Sequence, residues 1–225
     1  MKAVIIAAGE VVRMRPLTYT RSKVMLPLVN KPIMEHLLLE AKKAGLMDFI
    51  FVVGYFEEKI RDYFGNGQRL GVKIEYVTQK KQLGTAHALK MTRDLLTESF
   101  VLVNGDGPIL AEDILKVIKH ERPCMALQSV KNAQDLGVAE VADGKVKYIH
   151  EKLDKPPSNL ANAGLYLLDA AIFPVIEKLE PSPRGEYEIT SALQSFIDQG
   201  NTIAYEEITS WQNLTYPWDL LKVNR

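Results

Sequence analysis

Three short stretches at residues 3–7, 49–53 and 100–103 are apolar without interruption, and they constrain this chain more than any other feature. A strand wetted on one side alternates polar and apolar residues, whereas a strand covered on both faces has no reason to. Between the first two runs, Pro32 opens a segment whose apolar residues Ile33, Met34, Leu37, Leu38 and Ala41 fall on one helical face, and Gly45 closes it. Strand, helix, strand in that order requires a crossover connection, hence parallel pairing.

The expectation for the first 110 residues is therefore repeated β-α units, with an amphipathic helix at 57–64, a strand at 72–77 and a helix at 85–96. The second half changes character. Short strands at 125–130, 137–141 and 146–150, the last two joined by the turn Ala142-Asp143-Gly144-Lys145, read as antiparallel additions at a sheet edge. A strand near 164–168 and helices at 170–179 and 187–199 follow. The expected fold is α/β: three layers, α/β/α, around a mainly parallel, Rossmann-like mixed sheet with antiparallel additions in the C-terminal half.

With 225 residues, 47% of them hydrophobic, the chain suffices for one domain spanning 1–225 with an ample core. Lysine plus arginine and aspartate plus glutamate both total 28, so no global field points to nucleic acid or a membrane. The one cysteine, Cys124, sits in an apolar run and reads as a buried small hydrophobe. The apolar N-terminus is too short to span a bilayer and lacks a signal-peptide layout, so a soluble, cytoplasmic protein is expected.

In an open parallel sheet, ligands gather beyond the carboxyl ends of the strands. The loop after the first run, residues 7–18, offers Ala8 and Gly9 followed by Arg13 and Arg15, a combination able to hold a triphosphate with backbone N–H groups and guanidinium charge. Its ordinary reading is a turn with solvated arginines. Lys23 alone is a solvated charge. Residues 79–88 place Gln79, a donor and acceptor, near Gly84 and Thr85, a set suited to a base edge. His87 there reads as structural. Asp106, flanked by Gly105 and Gly107 beyond a dry strand, suits Mg²⁺ beside phosphates, or is simply a turn residue.

Taken together and in order, these segments resemble the sugar-1-phosphate nucleotidylyltransferases. The most specific piece is Gln79 with Leu83-Gly84-Thr85-Ala86, followed by Asn104-Gly105-Asp106. Glu151-Lys152, the run 158–166 ending Asn162-Ala163-Gly164-Leu165-Tyr166, the run 184–190 and the segment 211–220 agree, so the likeness extends to about Asn224. The resemblance implies transfer of a nucleotidyl group from a nucleoside triphosphate to a sugar 1-phosphate, with Mg²⁺ as cofactor. It implies that Ala8, Gly9, Gln79, Gly84 and Thr85 bind nucleotide and that Arg13 and Lys23 neutralise phosphates. Gly137, Glu151, Lys152 and Asn162 would hold the sugar phosphate, and Asp106 and Asn213 the metal. A homo-oligomer fits the family. Some relatives continue into a left-handed β-helix, and the expectation here, with the sequence ending at Arg225, is no such domain.

Four departures cluster at the implied reaction centre. Val11 and Val12 replace glycine and threonine in the first loop, Ser22 replaces the proline before Lys23, and Asn213 stands where the family has a second metal-binding aspartate. Ser191 also replaces an aspartate. The valines are expected to strain a left-handed loop by roughly 1–3 kcal/mol, and the amide to bring no charge to the metal, with Glu188 or Asp219 as substitutes. These departures support an alternative reading, a catalytically impaired homologue that binds nucleotide or nucleotide-sugar in a regulatory role.

Overall fold

A computed structural model describes residues 1–121 and 123–223; the ends of the resemblance at Asn224 and of the chain at Arg225 lie outside the described residues. In chain order the elements are β1 (Lys2–Ala7), a small hairpin β2 (Pro27–Leu28) and β3 (Lys31–Pro32), α1 (Ile33–Lys43), β4 (Asp48–Val53), α2 (Glu57–Phe64) and β5 (Lys73–Thr78). Then follow α3 (Thr85–Lys90), β6 (Phe100–Asn104), α4 (Ala111–Ile118), β7 (Cys124–Ser129), β8 (Gly137–Ala142) and β9 (Lys145–Glu151). The last are β10 (Leu160–Leu168), α5 (Ile172–Glu177), α6 (Ile189–Asp198), β11 (Ala204–Glu207) and α7 (Asp219–Val223).

Nine strands form one sheet in the order β5-β4-β1-β6-β10-β7-β11-β9-β8. The three apolar runs lie side by side and parallel: Ile5 stands against Phe51 of β4 and Val103 of β6. Their alternate residues serve opposite faces. Ile5, Phe51 and Val103 pack with Leu37, Phe64 and Ile114 from α1, α2 and α4. Val4, Val52 and Leu102 pack with Leu89, Phe173 and Leu193 from α3, α5 and α6. Both faces of the sheet are thus dry, which is why the runs do not alternate, and burying each large side chain is worth about 1.5–3 kcal/mol. No helix among the described residues is long and apolar enough to cross a membrane.

One expectation is corrected, and two features go beyond what was expected. The helix expected over 85–96 stops at Lys90, because the backbone N–H and hydroxyl of Thr92 both donate to the Leu89 carbonyl, at 2.9 and 2.7 Å, closing a 3₁₀ turn instead of extending the α-helix. The antiparallel additions of the C-terminal half are present, with β8 and β9 paired at the sheet edge, but β10 lies inside the sheet between β6 and β7, and β11 runs parallel to β7. Finally, α4 and β11 were not foreseen; the latter, Ala-Tyr-Glu-Glu, carries almost no apolar signal and exists because β7 offers it a partner. The turn after β8 is as read, with Asp143 and Gly144 both at positive φ.

The course of β10 positions the site. One edge pairs with β7 at 160–162 and again at 166–167, while the other pairs with β8 at Ala161 and with β6 from Leu165 onward. The change of partner needs an irregularity, and the register with β7 shifts between Asn162 and Tyr166. Gly164 sits in this bulge at φ 71°, where a Cβ would stand 2.5 Å from the Asn104 amide nitrogen. The sheet splits there, and a cleft opens.

Candidate functional site

The cleft is a cavity of about 280 Å³. It is walled by the loops beyond β6 and β9, the bulge of β10, the segment before α6 and the segment 211–215. Nine residues singled out from sequence line it: Arg13, Lys23, Thr85, Asp106 and Asn213, together with Gly137, Glu151, Lys152 and Asn162.

At one end, Lys23 lies on a 3₁₀ turn packed beneath the cavity floor and is 5% exposed. Its Nζ donates to Asp106 Oδ2 at 2.6 Å, and the Asp106 side chain, 41% exposed, opens onto the cavity. Desolvation works to raise the Asp106 carboxyl, but the Lys23 charge and hydrogen bond, its own backbone N–H and the Arg13 charge together hold it below the ordinary aspartate value. Arg13 lies over the Tyr216 ring, 5.9 Å from its centroid.

At the other end, Glu151 terminates β9 and accepts the Thr190 hydroxyl at 2.9 Å. Lys152, in a left-handed conformation at φ 50°, brings its Nζ to 3.3 Å from Glu151 Oε1. A Cβ on Gly137 would lie 3.0 Å from Glu151 Oε2, so this glycine lets the carboxylate approach the backbone. Arg184 reaches Glu151 at 3.6 Å, Glu186 at 3.5 Å and Glu188 at 2.5 Å. The last contact lacks hydrogen-bond alignment, and Glu188 Oε1 is buried without a hydrogen-bond partner. Burial first, and the Glu151 charge second, raise the Glu188 carboxyl above its ordinary value despite Arg184 and Lys152.

Sequence reasoning assigned no site role to Arg184 or Thr190, and considered Glu188 only as a stand-in for the metal aspartate. The sequence spacing of Arg184, Glu186 and Glu188 is no guide to such a role, because Arg184 stands in a turn that Gly185 continues at φ 77°, not in an extended strand. Asp135 also lines the cavity. Five carboxylates (Asp106, Asp135, Glu151, Glu186, Glu188) therefore face four cations (Arg13, Lys23, Lys152, Arg184), and side chains alone do not make the cavity positive.

Ala8, Gly9, Gln79 and Gly84 are not part of the lining. The buried Ala8 gives its carbonyl to Tyr55 N–H. Gly9 is exposed, with nothing within 4 Å of where a Cβ would stand, so the fold itself has no need of glycine there. Gln79 is buried, its Nε2 donating to the Gly84 carbonyl at 3.0 Å and lying 2.8 Å from His87 Nδ1. Burial, then the Lys90 charge, lower the His87 pKa, keeping the ring a neutral structural partner as expected. Gly84, at φ 112°, has a packing reason: a Cβ would strike the Tyr187 carbonyl at 2.4 Å. Burial in β7 pushes the Cys124 thiol up to about 12, in keeping with a buried hydrophobe.

The expected strain at the valines is absent. Val11 takes φ −96° and ψ 91°, ordinary extended backbone, and leads into a 3₁₀ turn beginning at Val12, whose side chain is 57% exposed. Ser22, at φ −64°, has a buried hydroxyl without a partner.

Asn213 is carried in by a segment held at several points. Asp113 accepts the N–H groups of Thr209 and Ser210 at 3.0 Å each, Gln128 bonds both backbone groups of Trp211, and Gly107 leaves room for the indole, which a Cβ would meet at 2.6 Å. Asn213 Oδ1 accepts the Thr215 hydroxyl. Asp219 does not substitute for a metal ligand, because its carboxylate is committed to the N–H groups of Thr215 and Tyr216 and to Lys222. No group of three His, Cys, Asp or Glu residues among those described is arranged to hold a metal. The Asp106 carboxylate and the Asn213 amide oxygen, both lining the cavity, are donors of the kind Mg²⁺ takes, since it commonly uses one or two protein ligands and completes its shell with phosphates and water.

The family model described as "Nucleotidyl transferase" matches residues 2–225. All of the chain aligns at 38% identity with 54% of the bifunctional protein GlmU of Methanococcus maripaludis. It aligns equally well with 65% of a low-salt glycan biosynthesis nucleotidyltransferase of Haloferax volcanii, and at 37% with 65% of a glucose-1-phosphate thymidylyltransferase of Streptomyces griseus. The chain thus spans between half and two thirds of the length of these curated relatives. Among solved structures, one described as a glucose-1-phosphate thymidylyltransferase from Bacillus anthracis in complex with sucrose matches with TM-score 0.89 at 31% identity, covering 100% of this chain and 94% of that one. A UDP-glucose pyrophosphorylase complexed with UDP-glucose matches with TM-score 0.88 at 25% identity, over 99% and 96%.

Proposed function

Because the chain belongs to the sugar-1-phosphate nucleotidylyltransferase family, we propose that residues 1–225 act as one catalytic domain joining a nucleoside triphosphate to a sugar 1-phosphate, releasing pyrophosphate. UTP or dTTP with a glucose 1-phosphate-like sugar is the favoured pair, in line with the relatives' substrates. The observation that carries the reading is the meeting of Asp106 with Lys23 at 2.6 Å in a cavity shared with Arg13 and Lys152.

The attacking sugar phosphate is already an anion, so no general base is required, and positioning and charge neutralisation dominate the barrier. Lys23, fixed from below, neutralises charge between the attacking and attacked phosphoryl groups, and Arg13 supports the triphosphate. Lys152 draws in the sugar phosphate while Glu151, oriented by Thr190, accepts sugar hydroxyls. Arg184 offers a further cation, released from its carboxylates as the phosphate arrives. Asp106 and Asn213 would hold Mg²⁺, which supplies the positive charge that this carboxylate-rich cavity lacks. Gly9, outside the cavity lining, has open space beside it through which a phosphate can approach the backbone.

Pyrophosphate release with Mg²⁺ across a panel of triphosphates and sugar 1-phosphates tests the proposal. Turnover with at least one pair is expected. Folded protein that turns over no pair, yet is thermally stabilised by nucleotide, would establish the regulatory-binder reading instead.

A further inference from the structure

We propose that Tyr166 is a positioning residue that sets the orientation of the Asn162 amide, so that Asn162 presents an N–H donor to the cavity and selects sugar phosphates carrying an acceptor oxygen there. The inference rests on the reading of Asn162 as a sugar-binding residue and adds what that residue can recognise.

In a regular strand, residues four apart on one face are separated by about 13 Å. Asn162 and Tyr166 nevertheless touch: Asn162 Nδ2 lies 2.6 Å from the Tyr166 hydroxyl, and that hydroxyl lies 2.9 Å from Asn162 Oδ1. The bulge at Gly164 makes this possible by shortening the strand between them. The same glycine fixes which end of the amide is which. Its backbone N–H points at the Asn162 amide from 2.9 Å and can donate only to oxygen, so the carbonyl end faces Gly164. The phenol cannot drift from its place, because Tyr166 is fully buried, and burial keeps its hydroxyl protonated by raising it above the ordinary tyrosine range.

Counting hydrogens decides the polarity. The amide nitrogen brings two, the phenol one and Gly164 one, against two lone pairs on Oδ1 and the phenol oxygen. The Gly164 N–H fills one lone pair of Oδ1. If the phenol donates to the other and accepts from Nδ2, one amide N–H is left over; if only one of those bonds forms, two donors remain. In every arrangement at least one amide N–H is left over, and it belongs to Asn162, which is partly exposed in the cavity wall, while the buried phenol stays behind it. A hydroxyl or acylamino oxygen satisfies this N–H, whereas a deoxy position leaves it unpaired.

The experiment uses wild type, Tyr166→Phe and Asn162→Asp with glucose 1-phosphate analogues in which single ring hydroxyls are replaced by hydrogen or by fluorine, which accepts weakly and cannot donate. In wild type, one ring position should lose about five- to tenfold in kcat/KM on replacement by hydrogen, the worth of one hydrogen bond, and less on replacement by fluorine. Tyr166→Phe, nearly isosteric, should raise KM for the sugar phosphate several-fold with kcat and the triphosphate KM unchanged, and should shrink the hydrogen–fluorine difference. Asn162→Asp should abolish that difference. Equal tolerance of hydrogen and fluorine at every position in wild type, or full retention of the difference in Tyr166→Phe, would overturn the inference. Absence of turnover with all natural pairs strikes instead at the transferase reading; the same analogue series read by calorimetric binding then decides this inference by the same two criteria.

Discussion

At one end of the cavity a single carboxylate, Asp106, meets a buried lysine, and its pKa falls; at the other, three carboxylates share Arg184 and Lys152, and the most buried of them, Glu188, is pushed up. The two ends use the same residue types to opposite effect. Where cation and anion are matched one to one, desolvation is outweighed and the charges persist. Where anions are in excess, one of them is held in an environment that disfavours its charge, a state suited to receiving either a cationic counterpart or a hydroxyl donor.

The comparison breaks most visibly at Lys23. Lys23→Met removes the cation fixed beneath the reaction centre, and kcat for pyrophosphate release should fall by about 10²–10³-fold, as when one preorganised electrostatic donor is lost. A loss below tenfold would mean that the matched end is structural. Next in size, Arg184→Met strips the crowded end of its shared partner. Because Arg184 is 39% exposed on its side chain, stability should drop by roughly 1–2 kcal/mol rather than the 3–5 of a buried pair, read by urea unfolding, with KM for the sugar phosphate rising about tenfold.

The two ends should also show mirror-image pH behaviour. Glu188 has a raised folded pKa, so its contribution to stability is full below the ordinary value of 4.5 and is lost as pH climbs through the folded value. Glu188→Gln should therefore gain on wild type in melting temperature from pH 5 upward and converge with it below. Asp106 has a lowered pKa, so its contribution is present above 3.8 and lost as pH falls below that, and Asp106→Asn should lose most relative to wild type at neutral pH. Parallel profiles for the two variants would refute the contrast. The smallest effect lies just outside the cavity: Ser22→Ala removes a buried hydroxyl without a partner and should stabilise by up to about 1 kcal/mol with turnover unchanged, measured by thermal melts alongside kcat.

The parallel half of the molecule was readable from sequence because its signal is local. Continuous apolar runs, a proline opening α1 and a glycine closing it are each written within a few residues, and α2 falls on the residues expected, 57–64. In the mixed half the elements β7 to β10, α5 and α6 also fell close to where they were expected, but their order did not follow, since β11 and the insertion of β10 depend on which strand stands next to which. The site divides in the same way. Asp106 stood out by type and position, and Lys23, Glu151 and Asn162 entered through the family resemblance, while the grouping of Arg184, Glu188 and Thr190 around Glu151 joins residues more than thirty apart in sequence. The strain anticipated at Val11 failed for a related reason: a β-branched side chain excludes a left-handed backbone but does not say which allowed backbone replaces it.

By itself, then, the sequence determined the layered α/β fold and several of the loops that wall the cavity, because hydrophobic periodicity and residue type act over short separations. Only the tertiary structure decided how charges pair, which carboxylate is left in excess, and that Asn162 and Tyr166 meet across a bulge. Those outcomes depend on distances of a few ångströms between segments far apart in the chain, where Coulomb and hydrogen-bond energies are steep and sequence spacing carries no information about them.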